Sequence, residues 1–220
     1  PLKVLHEYQM RIAEIKATLN WIMGASLSDL KVRSASSSSR LRLLPSSAIV
    51  LNALIDCFHP KKLALSSYGI REGLLYSAMD KKLRELDPLL EACRHIESTA
   101  ARMPGFGLTL FNFIMPLFET SDKNFVRLIK AACFLHDVSW RAHPDYRAEV
   151  CFDNATRANL GGIDHQGRAF LAIALLYRYK RPKKSETFSK VSSILDKEDK
   201  RTAEILGMAM RFGAMLSGST

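Results

Sequence analysis

The chain has 220 residues, 47% of them hydrophobic, which is enough to build the core of one large or two small domains. Its apolar runs are short and interrupted by charge, so the sequence reads as having neither a membrane span nor a signal-peptide core, and as cytosolic. A formal charge of +10 points toward a polyanionic partner.

In chain order, Leu5, Ile12, Ile15, Leu19 and Ile22 share one face of a long amphipathic helix that Gly24 and Ser26 end. The abrupt start at Pro1, already inside this periodicity, predicts a piece of a longer protein. Ser34 to Ser39 reads as a polar loop flanked by Arg33 and Arg40. Hydroxyls and guanidinium groups both donate to phosphate oxygens, and a plain linker is the alternative. Pro45 then suits the first turn of a helix carrying Ile49, Leu51, Leu54, Ile55 and Phe58, and His59-Pro60 stops it.

Lys61 to Ser67 alternates as a strand, Tyr68-Gly69 turns the chain, and Arg71-Glu72-Gly73 opens a helix. One isolated strand cannot form a sheet, so its partners are expected outside this sequence. From Asp87-Pro88 onward the pattern is helical. Helices are predicted near 88–101, 107–118, 123–137, 147–159, 166–180 and 199–216, with Gly105, Gly107, Pro144, Gly161-Gly162 and Pro182 as breaks.

Two basic blocks are visible. No acidic residue falls between Leu30 and Ile55, a window holding Lys31, Arg33, Arg40 and Arg42, and Arg178 to Lys184 carries five cations in seven positions. The four cysteines, Cys57, Cys93, Cys133 and Cys151, are far apart and form no C-x-x-C pair, which removes zinc-ribbon and thioredoxin readings and leaves buried thiols.

Val126, Ile129, Cys133 and His136 put the imidazole on a buried helix face, with Asp137 beside it. An adjacent His-Asp is the metal-binding pair of HD-type phosphohydrolases, but a divalent ion needs at least four oriented donors. The preceding helix, from Gly107, carries no His, and Phe106 stands where one would be sought. Asp164 and His165 could supply only a late ligand. No metal site is expected, His136 and Asp137 being the weak candidates. His143 lies in Trp140 to Tyr146, a stretch that lines a phosphate groove or closes a loop. No nucleophile elbow, phosphate-binding loop, dinucleotide fingerprint or H-E-x-x-H is present, so no catalytic residue is assigned.

Three blocks in order, Ser37 to Leu51, Leu65 to Tyr76 with its Tyr-Gly-Ile-Arg-Glu-Gly-Leu, and Ala131 to Tyr146, resemble the exopolyphosphatase and guanosine pentaphosphate phosphohydrolase family in its alphaproteobacterial form. The resemblance implies a mainly α chain. Residues 1–85 would be the end of a second actin-like (ribonuclease H-like) domain, and 86–220 an all-helical, degenerate HD-like domain. It implies a cytoplasmic, homodimeric enzyme releasing terminal phosphate from inorganic polyphosphate or from guanosine pentaphosphate, with Mg²⁺ and the catalytic motifs in an absent amino-terminal half and no cofactor in this chain.

Arg71, Glu72 and Gly73 match a family segment and are expected at a hinge or in a structural role, Gly73 allowing close backbone approach. Arg33, Arg40, Arg141, Lys180, Arg181, Lys183 and Lys184 are the expected polyphosphate-binding residues. The other readings are an independent HD-type metal phosphohydrolase and a basic helical nucleic-acid-binding module. The second lacks a helix-turn-helix signature or an aromatic platform.

Overall fold

The computed structural model describes residues 2, 4–34, 37–118, 122–180 and 185–218. They divide into two compact units, one of residues Tyr8–Ser66, the other of residues up to Glu7 together with Ser67 onward.

In the smaller unit, β1 (Gln9–Arg11) leads into α1 (Ile12–Gly24), then α2 (Leu27–Arg33), α3 (Ser38–Phe58) and β2 (Lys62–Ala64). The strand read from Lys61 onward does have a partner in this chain: β1 and β2 pair antiparallel, Met10 opposite Leu63. The apolar spacing from Leu5 masked this, because Met10 and Ile12 join the same core whether the backbone is extended or helical. Ile15 and Leu19 of α1 bury against Ala48 and Ile55 of α3, with Met10, Ile22, Leu51 and Leu63 around them. Lys16 and Asp56 close the polar edge of that pair at 2.5 Å.

α2 starts in a capping box, Asp29 N–H donating to Ser26 Oγ while Ser26 N–H donates to Asp29. α3 begins earlier than read, inside the serine-rich stretch, with Ser37 as its N-cap and Pro45 within the helix. Its end is where His59-Pro60 placed it, His59 adopting a left-handed conformation at φ 48° while its N–H donates to Ile55 O. Arg40 and Arg42 broke the apolar run in the sequence. Over its 21 residues α3 is nonetheless the one described helix long and apolar enough, by length and composition, to cross a bilayer. Leu43, Ile49, Val50, Leu54 and Phe58 are all exposed on it.

The larger unit contains α4 (Ile70–Ala78), α5 (Lys81–Arg84), α6 (Pro88–Ala100), α7 (Phe106–Ile114), α8 (Lys123–Leu135), α9 (Arg147–Arg157), α10 (His165–Tyr179), α11 (Glu186–Ser192) and α12 (Lys197–Leu216). The six long helices read from sequence all form; α11, seven residues long, was too short to show a period. Residues 67–85, grouped by sequence with the first part, cluster with this unit. Within them α4 and α5 bury no side chain, and Ile70, Leu74, Leu75 and Leu83 stay exposed.

The axis of the unit is α10, buried without a break from Gly167 to Leu176, with α8, α9, α11 and α12 packed on it. α12 lies so close that a β-carbon at Gly207 would sit 2.4 Å from Ala174 O and 2.5 Å from Tyr177 Cβ. Beside α8, the buried carboxylate of Glu97 accepts the N–H groups of Gly105 and Gly107 at 3.1 and 2.7 Å, capping α7, whose own N-cap is a glycine at φ 89°. Cys133 O would be 2.8 Å from a β-carbon at Gly107.

Arg168 holds the far end of α9. Wholly buried, it donates from Nη1 to Ala155 O at 3.3 Å and Ala158 O at 2.6 Å, and from Nη2 to Leu160 O at 3.2 Å. These carbonyls lie past or within the last turn of α9, where intrahelical donors run out.

Arg168→Met is expected to destabilise the chain by at least about 2 kcal/mol, since the buried Ala155 O and Leu160 O lose the guanidinium at about 1–3 kcal/mol each, while Ala158 O keeps the Leu160 N–H. Urea unfolding of the variant against wild type measures it, with Arg168→Lys falling between.

Candidate functional site

The segment 136–146 joins α8 to α9 as a string of turns, and polar groups gather on it. His136 is 1% exposed and Asp137 4% exposed. His136 Nδ1 bonds to Cys133 O at 2.8 Å, its ring lies 5.5 Å from Phe106, and its Nε2 is buried with no hydrogen-bond partner. Phe106 therefore fills the position at which a third metal ligand was sought, and among the described residues no group of three or more His, Cys, Asp or Glu is placed to hold a metal ion. The donor set does not fit the ion that an HD-type site carries.

The turn is fixed from three sides. Tyr179, at the end of α10, donates to His136 O at 3.0 Å. Trp140 Nε1 and Arg141 Nη1 both donate to Ala100 O, the last residue of α6, at 3.0 and 3.3 Å. Arg147 Nε donates to Ala142 O, and Arg102 N–H to Asp137 Oδ2. Leu135, Val138, Cys151 and Leu175 line an apolar cavity of about 360 Å³ on one side of it.

Electrostatics follow from this burial. His136 is pulled down to about 4, first by burial and then by the positive charge of Arg178, so its ring is neutral at pH 7. Burial pushes the Asp137 carboxyl up, against the opposing pull of the Arg102 N–H and of the Arg178, Arg102 and Arg147 charges. Burial pushes Cys151 up to about 11 and Cys93 to about 12, leaving both as inert thiols. Cys93, Cys133 and Cys151 are buried and Cys57 is exposed.

The residues expected to grip a polyanion fall in different places. Arg141 projects from the turn, stacked on Trp140 at 4.5 Å. Lys180 follows α10 and reaches the other end of the same segment, donating to Asp145 O at 2.9 Å, while Glu149 takes its charge at 2.7 Å. These two are brought to one segment. Arg33 and Arg40 belong to the smaller unit, Arg33 lying over Trp21 at 4.5 Å and Arg40 standing exposed in the first turn of α3. Arg181, Lys183 and Lys184 lie outside the described residues. At the expected hinge, Glu72 accepts Gly69 N–H at 2.7 Å and caps α4. A β-carbon at Gly73 would meet nothing within 4 Å, so among the described residues no close backbone approach depends on it.

Sequence reasoning passed over Arg178, Arg147 and Arg102. Arg178 counted only as one cation of a basic block, yet it follows Leu171 and Leu175 at spacings of four and three, the buried face of α10. That spacing was the available signal.

The family model described as "Exopolyphosphatase, C-terminal" matches residues 111–220. A protein named guanosine-5'-triphosphate,3'-diphosphate pyrophosphatase from Aeromonas salmonicida is 23% identical over 183 residues, 79% of this chain and 36% of its own length. A protein of the same name from Aeromonas hydrophila matches to the same extent. Retrograde regulation protein 2 of Saccharomyces cerevisiae is 29% identical over 147 residues, 65% of this chain and 24% of that protein. The chain thus spans about a third of the length of the bacterial relatives.

Wild-type stability is expected to fall by on the order of 3 kcal/mol between pH 6.5 and 4, because His136 binds its proton in the unfolded chain near 6.5 and in the folded one only near 4. Asp137, raised by burial, acts in the opposite sense near its ordinary range. Urea unfolding across pH should show His136→Gln losing most of the slope between 6.5 and 4; an unchanged slope assigns it to other groups.

Proposed function

The chain belongs to the exopolyphosphatase C-terminal family, and from that premise we propose that it is the carboxy-terminal part of a phosphohydrolase that removes terminal phosphate from inorganic polyphosphate or guanosine pentaphosphate. The observation that carries this reading is the family match over 111–220, which contains the whole turn segment with Arg141, Lys180 and the basic block behind it.

In this reading, residues 1–85 end an actin-like domain, and 86–220 form a helical domain of HD-like ancestry that has lost its metal. The catalytic motifs and their Mg²⁺ belong to sequence outside this chain, which by itself is inactive. The bare apolar faces of α3 and α4 support a larger sheet domain around the first segment, since soluble proteins seldom leave so much apolar surface uncovered. This keeps the protein cytoplasmic, with α3 as an interior helix of the complete domain.

The same argument supports a homodimer. Leu108 and Phe113 of α7 and Met208, Phe212 and Met215 of α12 are exposed together, with the rings of Phe113 and Phe212 6.3 Å apart. Polyphosphate carries a dense line of charge, and Lys and Arg that neutralise it release counterions as they do on nucleic acid. Arg33, Arg40, Arg141, Lys180, Arg181, Lys183 and Lys184 supply that charge. The choice between polyphosphate and nucleic acid rests on the family match and on the lack of an aromatic platform: Tyr177 and Tyr179 are both half-buried, bonded to Glu204 and to His136 O.

Long-chain polyphosphate is expected to bind in a salt-dependent way, and reversing Lys180, Arg181, Lys183 and Lys184 to Glu should lower the log–log salt slope by roughly three to four. Equal slopes for the two proteins would remove the basic block from the polyanion surface. Sedimentation equilibrium on the complete protein tests the dimer, Phe212→Asp shifting it toward monomer.

A further inference from the structure

The cavity of about 360 Å³ beside the 136–146 segment is cut into the core of the larger unit. Its walls come from α6, the end of α8, α9 with the loop after it, and α10; Leu135, Cys151, Ala155, Leu160 and Leu175 among them are each at most 5% exposed. Protein interiors are packed as densely as organic crystals, and an apolar void of about 150 Å³ already takes up benzene or xenon. Unfilled, the lining forfeits the dispersion contacts that packing would give it. A larger void walled by side chains this well buried is room for a molecule.

The lining fixes the chemistry of that molecule. Apart from Asn154 and Arg157 every wall residue is apolar or a thiol, and burial pushes the Cys151 thiol up to about 11, so it is protonated at neutral pH. Asn154 and Arg157 stand one turn apart on α9 and are the exposed members of the lining, so they mark the mouth. The Arg157 charge is met by Asp153 at 3.3 Å, which leaves no unpaired charge in the wall. Asn154 Nδ2 donates to Ser139 Oγ at 3.5 Å, a long and weak bond that a ligand group can replace. None of the exposed large apolar side chains among the described residues lines the cavity, so its mouth lacks the apolar face on which a protein partner would pack.

We propose that this cavity binds a small uncharged molecule, aromatic or short aliphatic with a single hydroxyl, amide or carbonyl group, whose apolar body rests on Leu135, Leu160 and Leu175 and whose polar group meets Asn154. Mostly apolar pockets with one or two placed polar groups are the ordinary form of a small-molecule site. Leu135 and Val138 flank His136 and Asp137, and Asn154 reaches Ser139, so an occupant braces the turn from its apolar side. The site needs no cation and stands or falls independently of the basic block and of any polyanion.

The test is titration of the whole chain, ¹³C-labelled at its Ile, Leu and Val methyls, with toluene, benzyl alcohol and benzoate, which are similar in size and differ in polarity and charge. Saturable binding of toluene and benzyl alcohol, with shifts centred on Leu135, Val138, Leu160 and Leu175 and with benzoate at least tenfold weaker, is the expected result. Ala155→Leu, which fills the void, should weaken benzyl alcohol at least tenfold while its thermal midpoint stays at or above that of wild type. Asn154→Leu should weaken benzyl alcohol severalfold and leave toluene unchanged. Should Ala155→Leu fail to fold, Ala158→Leu at the half-buried edge of the cavity takes its place. No saturable binding by wild type, shifts spread over the exposed apolar side chains of α7 and α12, benzoate the tightest of the three, benzyl alcohol unaffected by Asn154→Leu, or undiminished binding by the folded, filled variant overturns the proposal.

Discussion

The larger unit depends on burying α10 from end to end although its sequence places an arginine near each terminus. A helix surrounded by α8, α9, α11 and α12 can be entirely apolar in its middle, and Ala169 to Leu176 is. Its ends cannot, because neighbouring helices finish there and leave carbonyls without donors. Arg168 resolves one end by donating to the last carbonyls of α9 and the loop after it, tying α9 and α10 into one body. The 2.4 Å clearance that only Gly207 provides does the same for α12 without any polar group.

The other end of α10 is solved differently, and the candidate site arises from that difference. Tyr179 donates to His136 O of the turn, Trp140 and Arg141 donate from the turn to Ala100 O at the end of α6, and Glu97 caps α7 from within, so the turn is fastened to α6 and to α10.

Much of this was legible in the residues. The helices from 88 onward followed from period and breakers, because each buries a stripe that dictates where apolar residues recur. His136 was placed on a buried face by the same spacing, and it is buried. The errors lay where two conformations bury the same side chains. Met10 and Ile12 serve a strand as well as a helix, so β1 was absorbed into α1. The serines from 37 onward, which favour caps and loops locally, were drawn into α3 because Leu41 gains a fully buried place when the helix starts early. Arg178 was counted as surface charge because adjacent Lys180 and Arg181 made the whole block look solvated.

By itself the sequence determined the helical class, the absence of paired cysteines and of recognisable catalytic loops, and the family, since these are local patterns or matches along the chain. Only the tertiary structure decided which of the described cations are solvent-facing and which are spent on carbonyls. Charge at a given position in sequence is the same for Arg168, Arg178 and Arg141. What differs is the set of acceptors that packing brings within reach, and no linear pattern records it.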